Sequence, residues 1–513
     1  MQSQTFIKGT LILIAAGLTT RILGFINRII TANILGAEGV GLYNMAFPTL
    51  LLIITLTQLG LPVAISKLVA EAQMSDNVHK MKRILAVSLT VTGLLSIFFT
   101  ILLLVSAPIF AAYLVTDERA VYSLLAITPV IPIVAVSAVL RGYFQGRQNM
   151  KPTAVSQVIE QVVRISLVAV CTNALLPYGL EFAAAGAMLS VVAGEGASLG
   201  YMLWRFKYNK PLRIRKNFFK ALQDGRSTLH ELMAIALPAT GGRMIGSITL
   251  FLEPIVITHS LAIAGISTVA ATSQYGELSG FVIPLLFLPS FITYSLSVTL
   301  VPAVSEAAAA NRFDIIQKRL RQTLRTSMIA GGFSALFLFV FAEAVMTVIY
   351  NSPKSAYLLQ ILAPFSLFMY LQGPLQAILQ GLNLARSAMM NTLTGAIIKI
   401  ALLFFLASQP ELGIKGAALA IAVNMVLVTL LHLHVVTKAA GFILEGKVTA
   451  WILAAAALSV YGADAVIQQW MNHHPLFVQV IGAAGLSGTA FVLLLWGTGI
   501  LKWSYWKKII PDV

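Results

Sequence analysis

"GTLILIAAGLTTRILGFINRIITANILGAEGVGLYNMAFPTLLLIITL", residues 9–56, stays apolar for far longer than the core of a soluble domain requires. About twenty apolar residues cross a bilayer as a helix, so this stretch holds two crossings. Similar runs recur to the end of the 513-residue chain. Hydrophobic residues make up 58% of the sequence and charged ones 11%, against roughly 25% charged in a soluble domain. The runs are continuous rather than alternating, which is the pattern of membrane helices and not of a barrel. The fold class is therefore all-α integral membrane.

Hydropathy predicts fourteen spans. The first seven lie at 6–34, 41–66, 84–115, 120–142, 153–176, 182–204 and 229–259. The others lie at 270–300, 326–350, 356–381, 388–408, 413–437, 449–470 and 476–501. The opening run is too long for a signal-peptide core, carries two arginines and lacks a small-x-small cleavage site, so it reads as the first span. Cys171 is the one cysteine and sits in an apolar helix, which excludes an intramolecular disulfide framework.

The formal charge is +16, yet its distribution argues for topology rather than for nucleic acid. With the N-terminus inside, most Lys and Arg fall on the cytoplasmic side. They concentrate at 67–83, 141–151, 312–325, in "RFKYNKPLRIRKNFFKALQDGR" at 205–226 and in the tail "KWSYWKK". The opposite loops hold Arg119, Lys354 and Lys415. This asymmetry predicts a cytoplasmic-membrane protein with both termini in the cytoplasm and an even number of spans. Anionic lipid headgroups suffice to explain the basic loops, and no nucleic-acid partner is needed.

The chain also repeats itself. "RGYFQGRQNMKPTAVSQVIEQVVRI" at 141–165 resembles "QAILQGLNLARSAMMNTLTGAIIKI" at 376–400, which aligns Gln145-Gly146 with Gln380-Gly381 and Arg164 with Lys399. "RILG" at 21–24 matches "RMIG" at 243–246, and Pro62 falls against Pro302. Spans 1–6 and 7–12 thus read as two copies of one six-helix unit, related by a pseudo-two-fold along the membrane normal. The expected domains are an N-terminal lobe at 1–207, a basic cytoplasmic linker at 208–227 and a C-terminal lobe at 228–440. Residues 441–513 carry accessory helices 13 and 14 and the basic tail. Paired bundles of this kind suit alternating access, with a substrate site near the midplane.

Residues 5–72, "TFIKGTLILIAAGLTTRILGFINRIITANILGAEGVGLYNMAFPTLLLIITLTQLGLPVAISKLVAEA", resemble the start of polysaccharide-biosynthesis flippases, a sporulation-protein branch of the multidrug/oligosaccharidyl-lipid/polysaccharide flippase superfamily. The likeness to lipid II flippases is more distant and rests on an Arg-x-Leu-Gly-Phe element in the first span. Beyond residue 72 it rests on span pattern, repeat and motifs such as "LRGYFQG". The resemblance implies a fourteen-helix transporter that moves a polyprenyl-diphosphate-linked sugar, a peptidoglycan precursor for spore cortex, to the outer leaflet. It implies that Arg21 touches the diphosphate, and that helices 13–14 form a groove for the lipid tail. The second cation of the lipid II flippases is displaced by one position here, to Arg28. Their second-span arginine falls in the uncharged "TLLLIITL", and their eighth-span Asp-Arg pair falls near Gly276-Glu277.

Charges inside spans carry the rest. A central arginine costs about 2.5–3.5 kcal/mol on insertion scales, so such residues face a cavity or a partner. Gly17, Arg21, Gly24 and Arg28 follow i, i+4, i+7, i+11 and share one helix face. A guanidinium grips a diphosphate in bidentate fashion, which an ammonium does not match. The candidate substrate-binding residues are Arg21, Arg28, Arg243, Arg164 and Lys399. Glu253, Glu277 and Glu160 are candidates for ion or proton coupling, because buried carboxylates carry protons or hold Na⁺. Each has a plainer reading: Glu160 and Arg164 are spaced for an i, i+4 ion pair, and Arg28 can snorkel to headgroups. No catalytic residue, metal site or cofactor is expected, since the chain lacks a phosphate loop, a Ser/His/Asp set and a cysteine cluster. The expected partners are the lipid-linked anionic sugar, membrane lipids and cell-wall synthesis enzymes, with the protein itself a monomer. Two rival functions stay open: a proton- or Na⁺-coupled drug/cation antiporter of the same superfamily, and a non-transporting scaffold for wall synthesis.

Overall fold

The computed structural model describes residues 2–110, 116–208, 225–441 and 445–501. Among these residues there is no β-strand, and helix accounts for nearly all of them. The basic stretch 209–224 and the tail from 502 lie outside them. The chain divides into two compact units, Met1–Gly280 and Phe281–Val513.

The first unit opens with α1, Gln2–Gln58. At about 1.5 Å per residue, 57 residues make a rod more than twice as long as a bilayer core is thick. The rod is broken at Gly36, whose φ of 63° and ψ of −174° belong to a region open essentially to glycine. One helix, kinked at Gly36, therefore carries the first predicted crossing and most of the second. Among the described residues thirteen helical segments are long and apolar enough to span, with α1 included in one of them. Dividing that segment at Gly36 agrees with the fourteen spans read from the sequence.

After α1 come α2 (Leu61–Met74), α3 (Val78–Ile109), α4 (Ala120–Ile127), α5 (Val130–Gly146), α6 (Lys151–Leu175) and α7 (Leu180–Tyr208). Then follow α8 (Arg226–Ile263) and α9 (Thr268–Gly276). Leu61, Ile65, Leu68, Ile84, Leu85, Tyr143, Phe144, Met202, Leu232 and Ala236 form a core shared by α2, α3, α5, α7 and α8. Pro129 and Pro132, at the head of α5, lie where proline replaces donors a helix start leaves free. α9 runs into a π-helical stretch, Glu277–Val282.

The second unit comprises α10 (Ile283–Phe287), α11 (Ser290–Ala309), α12 (Phe313–Val340), α13 (Ala342–Tyr350), α14 (Ala356–Gly381), α15 (Ala385–Ala407) and α16 (Ile414–Ala440). α17 (Gly446–Val466) and α18 (Leu476–Gly497) complete it. Its core joins Leu300, Val304, Leu320, Leu324, Leu375, Ile378 and Val436 to Ile452, Ala456, Phe491 and Leu495. The accessory helices are thus packed into this unit's core. Phe491 stacks on Phe333 at 5.1 Å between ring centroids, and the Arg325 guanidinium donates to the Ile500 carbonyl.

Two segments differ from the sequence reading. The basic stretch read as a loop at 141–151 begins inside α5, which continues to Gly146 before a turn at Arg147–Gln148. Basic residues at 312–325 likewise lie on α12. Hydropathy marks where lipid contact ends, but backbone hydrogen bonding carries a helix past that point.

Candidate functional site

Within the first unit, α5, α6 and α7 bring together a cluster of charges. Gly194 of α7 lies against α6 so closely that a Cβ there would stand 2.7 Å from the Glu160 carbonyl. That approach sets Glu195 beside Glu160 and Arg164. Arg141 reaches in from α5, and its guanidinium Nη2 lies 3.6 Å from Glu160 Oε2 and 3.3 Å from Glu195 Oε2. The same nitrogen is 3.4 Å from the Ser198 hydroxyl. Gln161 donates from Nε2 to Glu160 Oε1 at 3.2 Å. Both Arg141 and the two carboxylates are largely shielded, with side-chain exposures of 22% and 14%. The ion pair that Glu160 makes within 4 Å is thus to Arg141 on another helix, not to Arg164 one turn along its own.

α1 borders this cluster. A Cβ on Gly24 would lie 3.6 Å from Gln161 Oε1, and one on Gly39 would lie 2.9 Å from Leu180. The contact advances in the same sense along α1 and along α6–α7, so α1 and α6 run parallel. Arg21 and Arg28 are exposed on α1, on either side of Gly24. Arg21 therefore stands just below the level of Glu160, and Arg28 at about the level of Arg164. Asn27, the intervening polar residue, is 6% exposed.

The other candidates lie on other helices. Arg243 is exposed on α8, and Glu253 lies half-buried on the same helix. Glu277 opens the π-helical stretch and is half-buried. Lys399 belongs to the second unit, on α15, and is 8% exposed. Arg141 was not among the residues expected to function, because it reads as the first residue of a basic loop. The signal available was its place after the unbroken apolar run "VIPIVAVSAVL", with the turn residues arriving only at 147–149.

A second polar constellation ties α1 to α9. Asp117, 3% exposed, accepts from the Arg119 backbone N–H at 3.1 Å and from its guanidinium at 3.1 and 3.0 Å. The Thr272 hydroxyl donates to it at 2.7 Å, and Arg119 donates to Glu38 at 2.6 Å. Burial raises the Asp117 carboxyl, but the hydrogen bonds from Arg119 and Thr272, with the Arg119 charge, outweigh it and hold the group below its ordinary value. Beside this knot the helices nearly touch. A Cβ on Gly276 would stand 1.9 Å from the Ala37 carbonyl, and one on Gly41 would stand 2.1 Å from that of Thr272. Asn44 donates to Ser279 at 3.0 Å along the same seam.

The chain matches the polysaccharide biosynthesis protein family over residues 6–308, and a MatE model over 245–405. It is 53% identical to stage V sporulation protein B of Bacillus subtilis (strain 168), over 99% of this chain and 98% of the relative. It is 23% identical to the lipid II flippase MurJ of the same organism, over 98% of this chain and 96% of that one. Among solved structures, the lipid II flippase MurJ in an inward closed conformation matches with a TM-score of 0.72, 13% identity and coverage of 95% and 99%. An inward-facing multidrug MATE transporter matches with a TM-score of 0.64, 16% identity and coverage of 82% and 94%. A helical fold that these transporters share, and a family match covering more than half of the sequence, lead to one statement: this multi-pass membrane chain belongs to the polysaccharide biosynthesis protein family.

Proposed function

We propose that the protein is a flippase that moves a polyprenyl-diphosphate-linked sugar across the cytoplasmic membrane by alternating access, and that its substrate is a peptidoglycan precursor for spore cortex. The observation that carries this reading is the paired arginines of α1, Arg21 and Arg28, exposed on one face of a membrane helix beside a cluster of charges. Two guanidinium groups seven residues apart are separated by about 10 Å along the axis, close enough for one headgroup to pass between them. The 53% identity to stage V sporulation protein B supports the sporulation setting, and similarity to a lipid II flippase supports a lipid-linked substrate. Arg243, Arg164 and Lys399 are further cations for the headgroup in this reading, and Glu253 and Glu277 are further candidates for ion coupling. Cell-wall synthesis enzymes are its expected partners, and its working form is a monomer.

The test is transport by the purified full-length protein in liposomes, using a fluorescent polyprenyl-diphosphate disaccharide whose outward-leaflet fraction is read by a membrane-impermeant quencher. Transport of that lipid, blocked in Arg21→Ala, is the expected result. Export of cationic dyes without movement of the lipid would instead support the antiporter reading.

A further inference from the structure

The cluster around Arg141 has a feature that the arginine face alone does not explain: it holds buried polar atoms with no protein hydrogen-bond partner. Arg141 Nε, Arg164 Nε, Gln161 Oε1 and Asn27 Oδ1 are all in this state. Gln161 is joined to Glu160 through its amide nitrogen while its oxygen faces Gly24 of α1. Asn27 follows Gly24 by one helical turn, and α1 runs parallel to α6, so Asn27 stands level with Arg164. The orphan donors and acceptors thus form a polar layer around α6, with Gln161 Oε1 on its α1 side and Arg141 Nε in the guanidinium that the two carboxylates share. Buried polar groups in such a layer are satisfied by water.

The charged residues on the helix turns around this layer are Arg21 and Arg28 of α1, Arg141 of α5, Glu160 and Arg164 of α6, and Glu195 of α7. With both glutamates ionised, Arg141, Arg164, Glu160 and Glu195 sum to zero. One guanidinium nitrogen serves both carboxylates, at 3.3 and 3.6 Å, so the arrangement tolerates the loss of either partner's charge. A metal cation fits poorly here, since two guanidinium groups already neutralise the oxygens. A proton fits well, because adding one to a carboxylate removes its share of Arg141 without leaving an unpaired negative charge. The second copy of the repeat lacks these groups: Gln376 stands where Arg141 does, and Gly395 where Glu160 does. The cluster therefore belongs to the first unit alone.

We propose that Glu160 and Glu195, bridged by Arg141, form a hydrated proton-exchange site whose protonation strengthens anion binding on the Arg21–Arg28 face of α1. The step is simple: a proton from water forms an O–H bond on one carboxylate oxygen, and the cluster passes from zero to +1. Packed helices lie about 8–10 Å apart, so that added charge acts on an anion at α1 with little screening. Linkage makes the effect reciprocal: anion binding is accompanied by proton uptake. This inference rests on the flippase reading for the identity of the anion, but the proton site itself can be observed without it.

Two measurements on the purified full-length protein in detergent test the proposal. The first is infrared difference spectroscopy between about pH 5 and about pH 9, without ligand, a range chosen to span buried carboxyls. A carboxylic C=O band should titrate in wild type and be lost or shifted in both Glu160→Gln and Glu195→Gln. The second is the Kd for farnesyl diphosphate over the same range. In wild type, binding should weaken as pH rises, by up to about tenfold per pH unit through the site's titration. Glu160→Gln should abolish that slope, while the ligand's own ionisation works in the opposite sense in both proteins. Arg141→Gln supplies a second variant with a different defect, since it should move the infrared band without deleting a carboxyl. Equal pH slopes in wild type, Glu160→Gln and Glu195→Gln would overturn the coupling. Absence of farnesyl diphosphate binding at every pH would overturn the flippase reading and the coupling together, whereas absence of the titrating band would remove the proton site alone.

Discussion

Arg21 shows what one side chain contributes and what it leaves to its neighbours. Its membrane depth and its spacing from Gly24 and Arg28 are already plain in "RILGFINR". Replacing it by Ala should cost about ten- to hundredfold in affinity for a polyprenyl diphosphate, the range of a charge-assisted hydrogen bond. Arg21→Lys should recover only part of that loss, because an ammonium does not make the paired contact. Titration calorimetry on the purified variants would decide this, and wild-type affinity in Arg21→Ala would exclude a headgroup role. Asp117 gives a pH-dependent counterpart. Its folded-state carboxyl titrates below the ordinary value near 3.8. The stability it supplies is therefore fully present above that value and is lost as pH falls further, through the lower folded value. Asp117→Asn should lower the Tm at neutral pH, and the gap to wild type should close only in strong acid. A gap independent of pH would show that the Asp117 charge is not what binds Arg119 and Thr272. Arg119 is two residues from Asp117, but Thr272 lies 155 residues away and was not legible in the sequence, since only the fold sets it beside the carboxylate.

Helices were the most legible level. Each predicted span has a helix at its position, because continuous apolar runs leave the backbone no partner but itself. What hydropathy misplaced were ends, as at Arg141, where a helix outlasts its lipid-facing part. The break at Gly36 and the seam of Gly41 with Gly276 are of a different kind, set by backbone geometry rather than polarity. Gly36→Ala should cost roughly 1–3 kcal/mol from its backbone conformation. Gly276→Ala should cost a similar amount, roughly 1–3 kcal/mol, from overpacking against the Ala37 carbonyl. Thermal unfolding in detergent should show both as lowered Tm. By contrast Gly246→Ala, where a Cβ meets nothing within 4 Å, should be close to neutral. An unchanged Tm in Gly276→Ala would mean that the α1–α9 seam is not closely packed.

At the scale of the whole molecule, charge asymmetry predicts orientation. With Cys171 replaced by Ser, Lys354→Cys should react with a membrane-impermeant maleimide in intact cells, and Lys318→Cys only after permeabilisation. The reverse pattern would invert the topology. By itself, the sequence determined the membrane-helical class, the span positions and the spacing that puts Arg21 and Arg28 on one face of α1. Those properties follow from polarity and period, which neighbouring residues report. Tertiary structure alone decided that Arg141 serves Glu160 and Glu195, that Asp117 locks Arg119 to Thr272, and that Phe491 of the accessory helices packs into the second unit. Each of these brings in a residue from a separate helix, and hydropathy, which scores one helix at a time, carries no information about which helices will touch.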